Sequence, residues 1–436
     1  MDKPAILGGN PIRNMPYPPN ITTGKKERAA VLRFMTRGIL SSFEGTNNEF
    51  FYGGKEVVAL EREWKEKFQT KHAISVNSAT SGLYAAVGAA GIAPGDEVVV
   101  TPFTMSATAT AVIAYNGIPV FADVDPDTFN LDPISVEKKI TPYTKAILAV
   151  HIFGHPAPMN ELMEISKKHN LVLIEDAAQS PMALYRGKLT GSIGDIGIFS
   201  LNSNKHIQCG EGGMVVTNND YFAERTMLIR NHAEAVVANG RKVESLVNLV
   251  GFNYRMNEIE AAISRCQLAK IDDLLKRRLE LVDYLNNRLR CFKGITTPVV
   301  KTDCTHVFYR YALSIDRSII PLSAGQFVDA LNAEGMDFYV SYMKPLYLQP
   351  IFQQLIAFGE RGCPFRCPWY KGRLNYERGI CPEAENLEER IISTEIVRPP
   401  QTERDMEEIY QAIKKVIDNA GEIDAAKSKE QIITDV

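Results

Sequence analysis

The chain has 436 residues, which predicts two domains, or one large α/β domain with a smaller companion. Hydrophobic residues make up 45% and charged residues 23%, as in a folded globular chain rather than a disordered one. Lys+Arg number 49 against 52 for Asp+Glu, so the net charge of −3 offers no bulk attraction for nucleic acid.

Residues 1–30 are rich in Pro and Gly and read as an arm lying on a surface, that of a partner subunit included. A helical pattern follows over 24–38. The turn-rich loop 45–54 carries Phe50, Phe51 and Tyr52. An amphipathic helix over 55–68 leads to a strand at 72–76. From there short apolar strands at 97–100, 119–124, 146–151, 171–175, 196–201 and 213–217 alternate with helices at 81–90, 106–115 and 159–168. Their β-branched runs lack period-two alternation, as in strands covered on both faces. The pattern predicts a mostly parallel, doubly wound sheet, whose sites form beyond the carboxyl ends of its strands. A long helical stretch over 257–289 leaves this domain. A strand over 308–315 and helices at 324–334 and 403–420 follow. The expected division is an arm at 1–30, a large domain at 31–290, a small C-terminal α+β domain at 291–420 and a frayed polar tail at 421–436.

The apolar runs have strand length, so no membrane-spanning helix is expected. No basic region precedes an apolar core at the N-terminus, and the seven cysteines are scattered. Both features suit a cytoplasmic protein with reduced thiols. Cys363 and Cys367 lie four apart without a second pair at zinc-like spacing, so no metal site is expected.

Three strand ends carry chemistry. Asn77-Ser78-Ala79-Thr80-Ser81-Gly82-Leu83 is a small-residue turn opening a helix, whose free N–H groups suit a phosphate; small turns of this kind also serve packing and capping. Asp176, in Ile174-Glu175-Asp176-Ala177-Ala178-Gln179, suits a helix cap, a metal, or a cationic ring nitrogen. Lys205 lies in Ser203-Asn204-Lys205-His206, ahead of the turn Gly210-Glu211-Gly212-Gly213. Alone it reads as a solvated loop lysine. Together the three reproduce the layout a pyridoxal phosphate site requires: a phosphate cradle, an anion for the ring nitrogen, and an amine for the aldehyde.

The segment 199–213 resembles the lysine motif of the DegT/StrS family of sugar aminotransferases. So do Glu175-Asp176-Ala177-Ala178-Gln179, Val150-His151-Ile152-Phe153-Gly154 and Gly251-Phe252-Asn253-Tyr254-Arg255-Met256. Gly95-Asp96-Glu97-Val98 and Pro119-Val120-Phe121-Ala122-Asp123-Val124 match as well, and the likeness spans about 25–420. It implies the fold type I architecture, with a seven-stranded large-domain sheet and pyridoxal 5'-phosphate as cofactor. It implies Lys205 as the amine that bonds the cofactor and then carries a proton between the donor's Cα and C4′. It implies Asp176 at the pyridinium nitrogen and Gln179 at the phenolic oxygen. Thr80, Ser81 and Ser200 would hold the phosphate. Asn253 would reach that phosphate from the neighbouring subunit of a homodimer. His306 matches a histidine of the small-domain strand. The family's ring-stacking aromatic is replaced here: Pro102-Phe103-Thr104-Met105-Ser106 puts Met105 at that position, with Phe103 as the other candidate.

The implied reaction is a ping-pong transfer from glutamate or glutamine to a keto-sugar, nucleotide keto-sugar or keto-cyclitol. The N-terminal segment 5–13 and the insert around Cys363–Cys381 are similar to the subgroup acting on unactivated keto-sugars and keto-cyclitols. The aromatic, basic run Pro364-Phe365-Arg366-Cys367-Pro368-Trp369-Tyr370 reads either as lining for the acceptor pocket or as a covering loop. Asn47, Asn48 and Tyr52 suit sugar hydroxyls. Relatives that act as sugar dehydratases carry histidine in place of the lysine; here Lys205 is present and His206 reads as a supporting imidazole. A non-catalytic cofactor-binding protein is disfavoured by the full set Lys205, Asp176 and Gln179. A Rossmann dehydrogenase is disfavoured because no Gly-x-Gly-x-x-Gly follows the first strand.

Overall fold

The computed structural model describes residues 2–426. Seven strands build one sheet: β1 (His72–Val76), β2 (Glu97–Val100), β3 (Ile118–Phe121), β4 (Thr144–Val150), β5 (Val172–Asp176), β6 (Ile196–Ser200) and β7 (Gly213–Thr217). Their spatial order is β1-β7-β6-β5-β4-β2-β3. β3, β2, β4, β5 and β6 pair in parallel, and β7 runs antiparallel to both its neighbours. Six strands therefore point the same way. Their carboxyl ends gather Asn77, Thr101, His151, Asp176 and Ser200 on one rim.

Alternate residues leave the sheet in opposite directions. Val98, Val100, Leu148 and Ile174 enter one core, while Val99, Ile147, Ala149 and Leu173 enter another. Both faces are covered, which is why these strands read as continuous apolar runs. The fold is the mostly parallel α/β architecture expected.

A second sheet is antiparallel, with β8 (Ile295–Thr296), β9 (Tyr311–Ile315), β10 (Tyr339–Val340) and β11 (Ile391–Thr394) in the order β8-β9-β11-β10. The helices Ala324–Ala333 and Glu403–Asp418 share its core. The last of these buries Met406, Ile409, Ile413 and Val416, a single stripe at helical spacing. Helix Ile271–Leu289 joins the two units. Ile271 and Leu275 sit in the core behind the large sheet, and Leu281, Val282, Leu285 and Leu289 in the second core.

The structure refines or departs from the sequence expectations in four places. The stretch 257–289 is two helices, Glu258–Leu268 and Ile271–Leu289, because Lys270 leaves helical geometry at φ −121°, ψ 8° while its ammonium bonds the Thr22 carbonyl and pairs with Glu27. The N-terminal arm lies on its own chain: the buried Glu334 accepts the N–H groups of Ala5 and Ile12 and pairs with Lys415. Residues 420–426 are helical, with Ile423 buried in the second core; the expected frayed tail is ordered this far, and 427–436 lie outside the described residues.

The fourth difference is the insert. Phe352, Phe365, Tyr376 and Cys381 pack into the core of the large sheet, although their numbers fall among those of the small one. The Tyr370 hydroxyl donates to Glu97 at 2.7 Å and the Tyr376 hydroxyl to the Pro119 carbonyl at 2.8 Å. Glu97 begins β2, so Tyr370 covers the β2–β3 edge at the end away from the site rim, while Cys381 lies against the Phe121 carbonyl at the other end of β3. These contacts support the covering-loop reading of the segment. β3 is an edge strand, and such edges are commonly covered. No helix among the described residues is long and apolar enough to cross a membrane.

Candidate active site

Helix Ala79–Ala89 begins at the end of β1, capped by Ser78, whose Oγ accepts the Ser81 N–H at 3.0 Å. The Ser81 hydroxyl donates to Asn77 Oδ1 at 2.6 Å. Thr80 is exposed on the first turn. Gly213 opens β7 directly beside this helix start: a Cβ there would lie 2.7 Å from the Ala79 nitrogen. The last glycine of the Gly-Glu-Gly-Gly turn thus keeps the cradle clear. Gly212 likewise has no room for a side chain, since a Cβ would meet Cys209 Sγ at 2.6 Å.

Asp176 ends β5 and is 6% exposed. Its carboxylate accepts the Ala178 N–H at 3.1 Å and the Thr108 hydroxyl at 3.3 Å. Burial pushes its pKa up, against the pull of the Ala178 N–H and of Lys205. Gln179 is held at both ends: Oε1 accepts the Phe153 N–H at 2.7 Å, and Nε2 donates to the Tyr342 hydroxyl at 3.3 Å. Ser200 ends β6, and its Oγ accepts the Asn202 N–H at 3.3 Å.

Lys205 follows β6 on a short turn and is partly buried. Its ammonium lies 4.0 Å from the centre of the Tyr309 ring. Burial lowers its pKa to about 8, although the charges of Asp176 and Glu395 pull it up. An amine with so lowered a pKa is neutral in a far larger fraction near physiological pH than that of a surface lysine, and the neutral form is the state a nucleophile needs.

The two candidates for ring stacking separate clearly. Phe103 is fully buried and meets Phe129, Phe153 and Tyr342 edge-on, while Met105 is 51% exposed at the rim. His206 and His306 are both buried, and burial drives both well below the usual imidazole pKa. His206 Nε2 bonds the Val307 carbonyl at 2.8 Å, and His306 Nδ1 accepts the Phe308 N–H at 3.0 Å. Both fit supporting roles. Asn253 is exposed beside β1: its Oδ1 accepts Arg255 Nε at 2.8 Å, and its carbonyl lies 3.4 Å from Asn77 Nδ2. In the 45–54 loop, Asn48 bonds Phe50 and Glu44, and the Tyr52 hydroxyl takes Arg241. Among the described residues no group of His, Cys, Asp and Glu gathers as metal ligands would.

Sequence reasoning missed a group from the second unit. Arg310 pairs with Glu395 at 2.6 Å and Arg398 with the same carboxylate at 3.4 Å, and Arg398 also reaches the Asn204 carbonyl at 3.4 Å. Arg310 further lies 5.0 Å from the centre of the Tyr342 ring. The arginines stand far from Lys205 in sequence and carry no local motif, so no signal in the chain pointed to them.

A helix start at the end of β1, a buried carboxylate and a lysine amine of lowered pKa on one rim are the groups pyridoxal phosphate requires of an α/β protein, and these residues fit that cofactor. The chain matches the DegT/DnrJ/EryC1/StrS aminotransferase family over residues 42–365 and belongs to it. It is 38% identical to GDP-perosamine synthase of Caulobacter vibrioides, covering 69% of this chain and 80% of that one. It is 30% identical to L-glutamine:2-deoxy-scyllo-inosose aminotransferase of Streptoalloteichus tenebrarius, over 97% of this chain and 99% of that one. The solved aminotransferase of Psychrobacter cryohalolentis superposes with a TM-score of 0.79 at 30% identity, over 93% of this chain and 100% of that one. Pyridoxal 5'-phosphate is the cofactor expected of the chain from this family, and the solved DesV of S. venezuelae, 31% identical with a TM-score of 0.74, was determined in complex with a ketimine intermediate.

Proposed function

We propose that the protein is an aminotransferase that moves an amino group from glutamate or glutamine to a keto-sugar, nucleotide keto-sugar or keto-cyclitol by a ping-pong cycle. The observation that carries this is Lys205, whose amine, its pKa lowered to about 8 by burial, lies on the same rim as the buried Asp176. The cofactor, when bound, supplies an aldehyde and an electron-accepting ring. Lys205 would hold the cofactor at its aldehyde and would carry the proton to and from the donor's Cα. Asp176 would supply the anion for the ring nitrogen, and Gln179 would serve the phenolic oxygen. Thr80, Ser81 and Ser200 would hold the phosphate, and Met105 would cover the ring.

The active unit is a homodimer in which Asn253 serves the neighbouring subunit's phosphate. Support for this comes from the exposed apolar residues Leu246, Val247, Val250 and Phe252 that lead up to Asn253. The full-length likeness to a cyclitol aminotransferase favours a keto-cyclitol or unactivated keto-sugar acceptor. The GDP-perosamine relative aligns with a smaller part of the chain.

The test is spectral. Glutamate or glutamine added to the purified holoenzyme shifts the cofactor's visible band and releases one equivalent of 2-oxo acid. A panel of keto-sugars and keto-cyclitols then restores the band. A Lys205→Ala protein with normal turnover would sink the assignment. Formation of a keto-deoxy product without consumption of a donor would replace it with a dehydratase.

A further inference from the structure

β5 ends on two carboxylates, and the site described above uses only one. Neighbouring residues of a strand leave it on opposite faces, so Glu175 lies across the sheet from Asp176. Glu175 and His151 are both fully buried, and His151 Nε2 lies 2.9 Å from Glu175 Oε2. The same oxygen accepts the Gly191 N–H at 2.8 Å, and Oε1 accepts the N–H groups of Ile193 and Gly194 at 2.7 and 2.6 Å. Four donors fill the carboxylate and leave it no capacity for a substrate.

His151 follows β4 and leans on this fixed group. Its Nδ1 accepts the Ala157 N–H at 2.9 Å, so the ring proton sits on Nε2 and is donated to Glu175. Its own backbone N–H bonds the Asp176 carbonyl at 3.1 Å. His151 thus pins both ends of the turn 151–157. Inside that turn Phe153 holds a left-handed conformation, φ 56° and ψ 2°, which a bulky side chain rarely adopts. Such a conformation persists only where its surroundings impose it.

The strained residue serves the site. The Phe153 N–H donates to Gln179 Oε1 at 2.7 Å. With its oxygen so engaged, the carboxamide turns both Nε2–H donors away from Phe153. One reaches the Tyr342 hydroxyl at 3.3 Å, and among the described residues the other has no partner.

We infer that Glu175 and His151 are positioning residues for the cofactor site: Glu175 orients His151, His151 clamps the 151–157 turn, and the Phe153 N–H then aims the Gln179 donors at the cofactor's phenolic oxygen. Neither residue touches cofactor or substrate. The assignment rests on the pyridoxal phosphate reading of Gln179 and adds how that side chain is set. A donor at the phenolic oxygen favours the form of the bound cofactor in which that oxygen carries more negative charge. That is the deprotonated form, so the donor keeps the pH midpoint of the cofactor's visible band low. Asp176, Lys205, Tyr309, Arg310, Tyr342 and Glu395 are the other titratable and charged groups around Gln179, and they stay intact in every variant below.

The experiment titrates the visible band of the holoenzyme with pH in wild type, His151→Phe, His151→Asn, Gln179→Ala and the double variant His151→Phe with Gln179→Ala. Hydrogen exchange over 151–157 is followed in the cofactor-free proteins. His151→Phe is expected to raise the midpoint by about 0.5–1 pH unit, a change of roughly three- to tenfold in proton affinity. Gln179→Ala is expected to raise it at least as far, and the double variant no further than Gln179→Ala alone, since the pair acts through Gln179. Exchange over 151–157 is expected to quicken at least about tenfold in His151→Phe. His151→Asn, whose amide oxygen can replace Nδ1 towards Ala157, recovers part of both effects. Should His151→Phe fail to fold, His151→Asn and Glu175→Gln carry the same comparison. A midpoint unchanged in these variants, whatever their melting temperature, or a shift that adds in full to that of Gln179→Ala, overturns the pair. If Gln179→Ala itself leaves the band unmoved, the reading of Gln179 has failed and the pair's role at the site with it; if Gln179→Ala moves the band and the His151 variants do not, only the pair has.

Discussion

The Lys205 ammonium lies 4.0 Å from the centre of the Tyr309 ring, a contact that brings the second unit against the lysine of the first. The ring face favours the charged amine, and burial disfavours it. Burial wins, since the pKa falls from 10.5 to about 8. A lowered pKa means that the neutral amine gains population as pH rises through about 8, well below the range of surface lysines. Acetic anhydride labelling of the cofactor-free protein, read by mass spectrometry, is expected to reach half its maximal rate at Lys205 near pH 8. Tyr309→Leu removes the ring and moves that midpoint lower. Labelling that follows the surface lysines to near pH 10 would contradict the electrostatics.

Asp176 shows the opposite balance. Its carboxyl is pushed up by burial and steadied by Ala178 and Thr108. Asp176→Asn keeps the shape and removes the buried charge. The cofactor-free variant is therefore expected to melt no lower than wild type, because burial disfavours the charge more than Ala178, Thr108 and Lys205 offset it. With cofactor bound, the donor half-reaction is expected to slow by at least about a hundredfold, since the ring nitrogen has lost its anion. A drop in the melting temperature of the cofactor-free protein would count against this account.

The large sheet was legible because strands buried on both faces read as unbroken apolar runs, and the site was legible where it follows those strands directly. Asp176, Ser200 and Lys205 all lie at or just beyond carboxyl ends. Arg310, Glu395 and Arg398 were not legible, because they reach the site through an antiparallel sheet assembled from distant segments. The helix break at Lys270 was hidden for a similar reason. It carries no Gly or Pro, and the Lys270 ammonium at the break meets Thr22 and Glu27, partners far away in sequence. The insert's two readings could not be separated in the sequence because aromatic and basic residues serve edge covers as well as sugar pockets. The bonds of Tyr370 and Tyr376 to the start of β2 and to β3 support the cover.

Tyr370 tests that placement. Its hydroxyl donates to Glu97, which also accepts from Thr141 and Thr144. Tyr370→Phe is expected to cost about 1.5–3 kcal/mol in denaturant unfolding, as for a hydrogen bond to a charged group. The KM for the acceptor is expected to stay within twofold. A large rise in KM with stability unchanged would return the insert to the active site.

The arm is clasped by Glu334, which is fully buried with Lys415 8% exposed beside it. Lys415 also donates to the Asn10 carbonyl at 2.7 Å. Glu334→Ala leaves a buried ammonium without its carboxylate and frees the N–H groups of Ala5 and Ile12. The expected cost is about 3–5 kcal/mol, read from the urea midpoint. Limited proteolysis is expected to cut the variant first within residues 5–13. Protection of that segment equal to wild type would show that other contacts hold the arm.

Shared active sites make a sharper prediction than size alone. If Asn253 serves the neighbouring subunit while Lys205 serves its own, Lys205→Ala and Asn253→Ala place their defects in different sites of a mixed dimer. One site then carries both lesions and the other carries none. Each variant alone is expected to be weak or inactive. Unfolded together in equal amounts and refolded, they are expected to regain about a quarter of wild-type activity, since half the dimers are mixed and each has one intact site. Asn253 also stands beside its own Asn77, so a site built within one chain is the rival arrangement. That arrangement puts the two lesions in separate, singly damaged sites, and the mixture would show no more activity than the mean of the two variants.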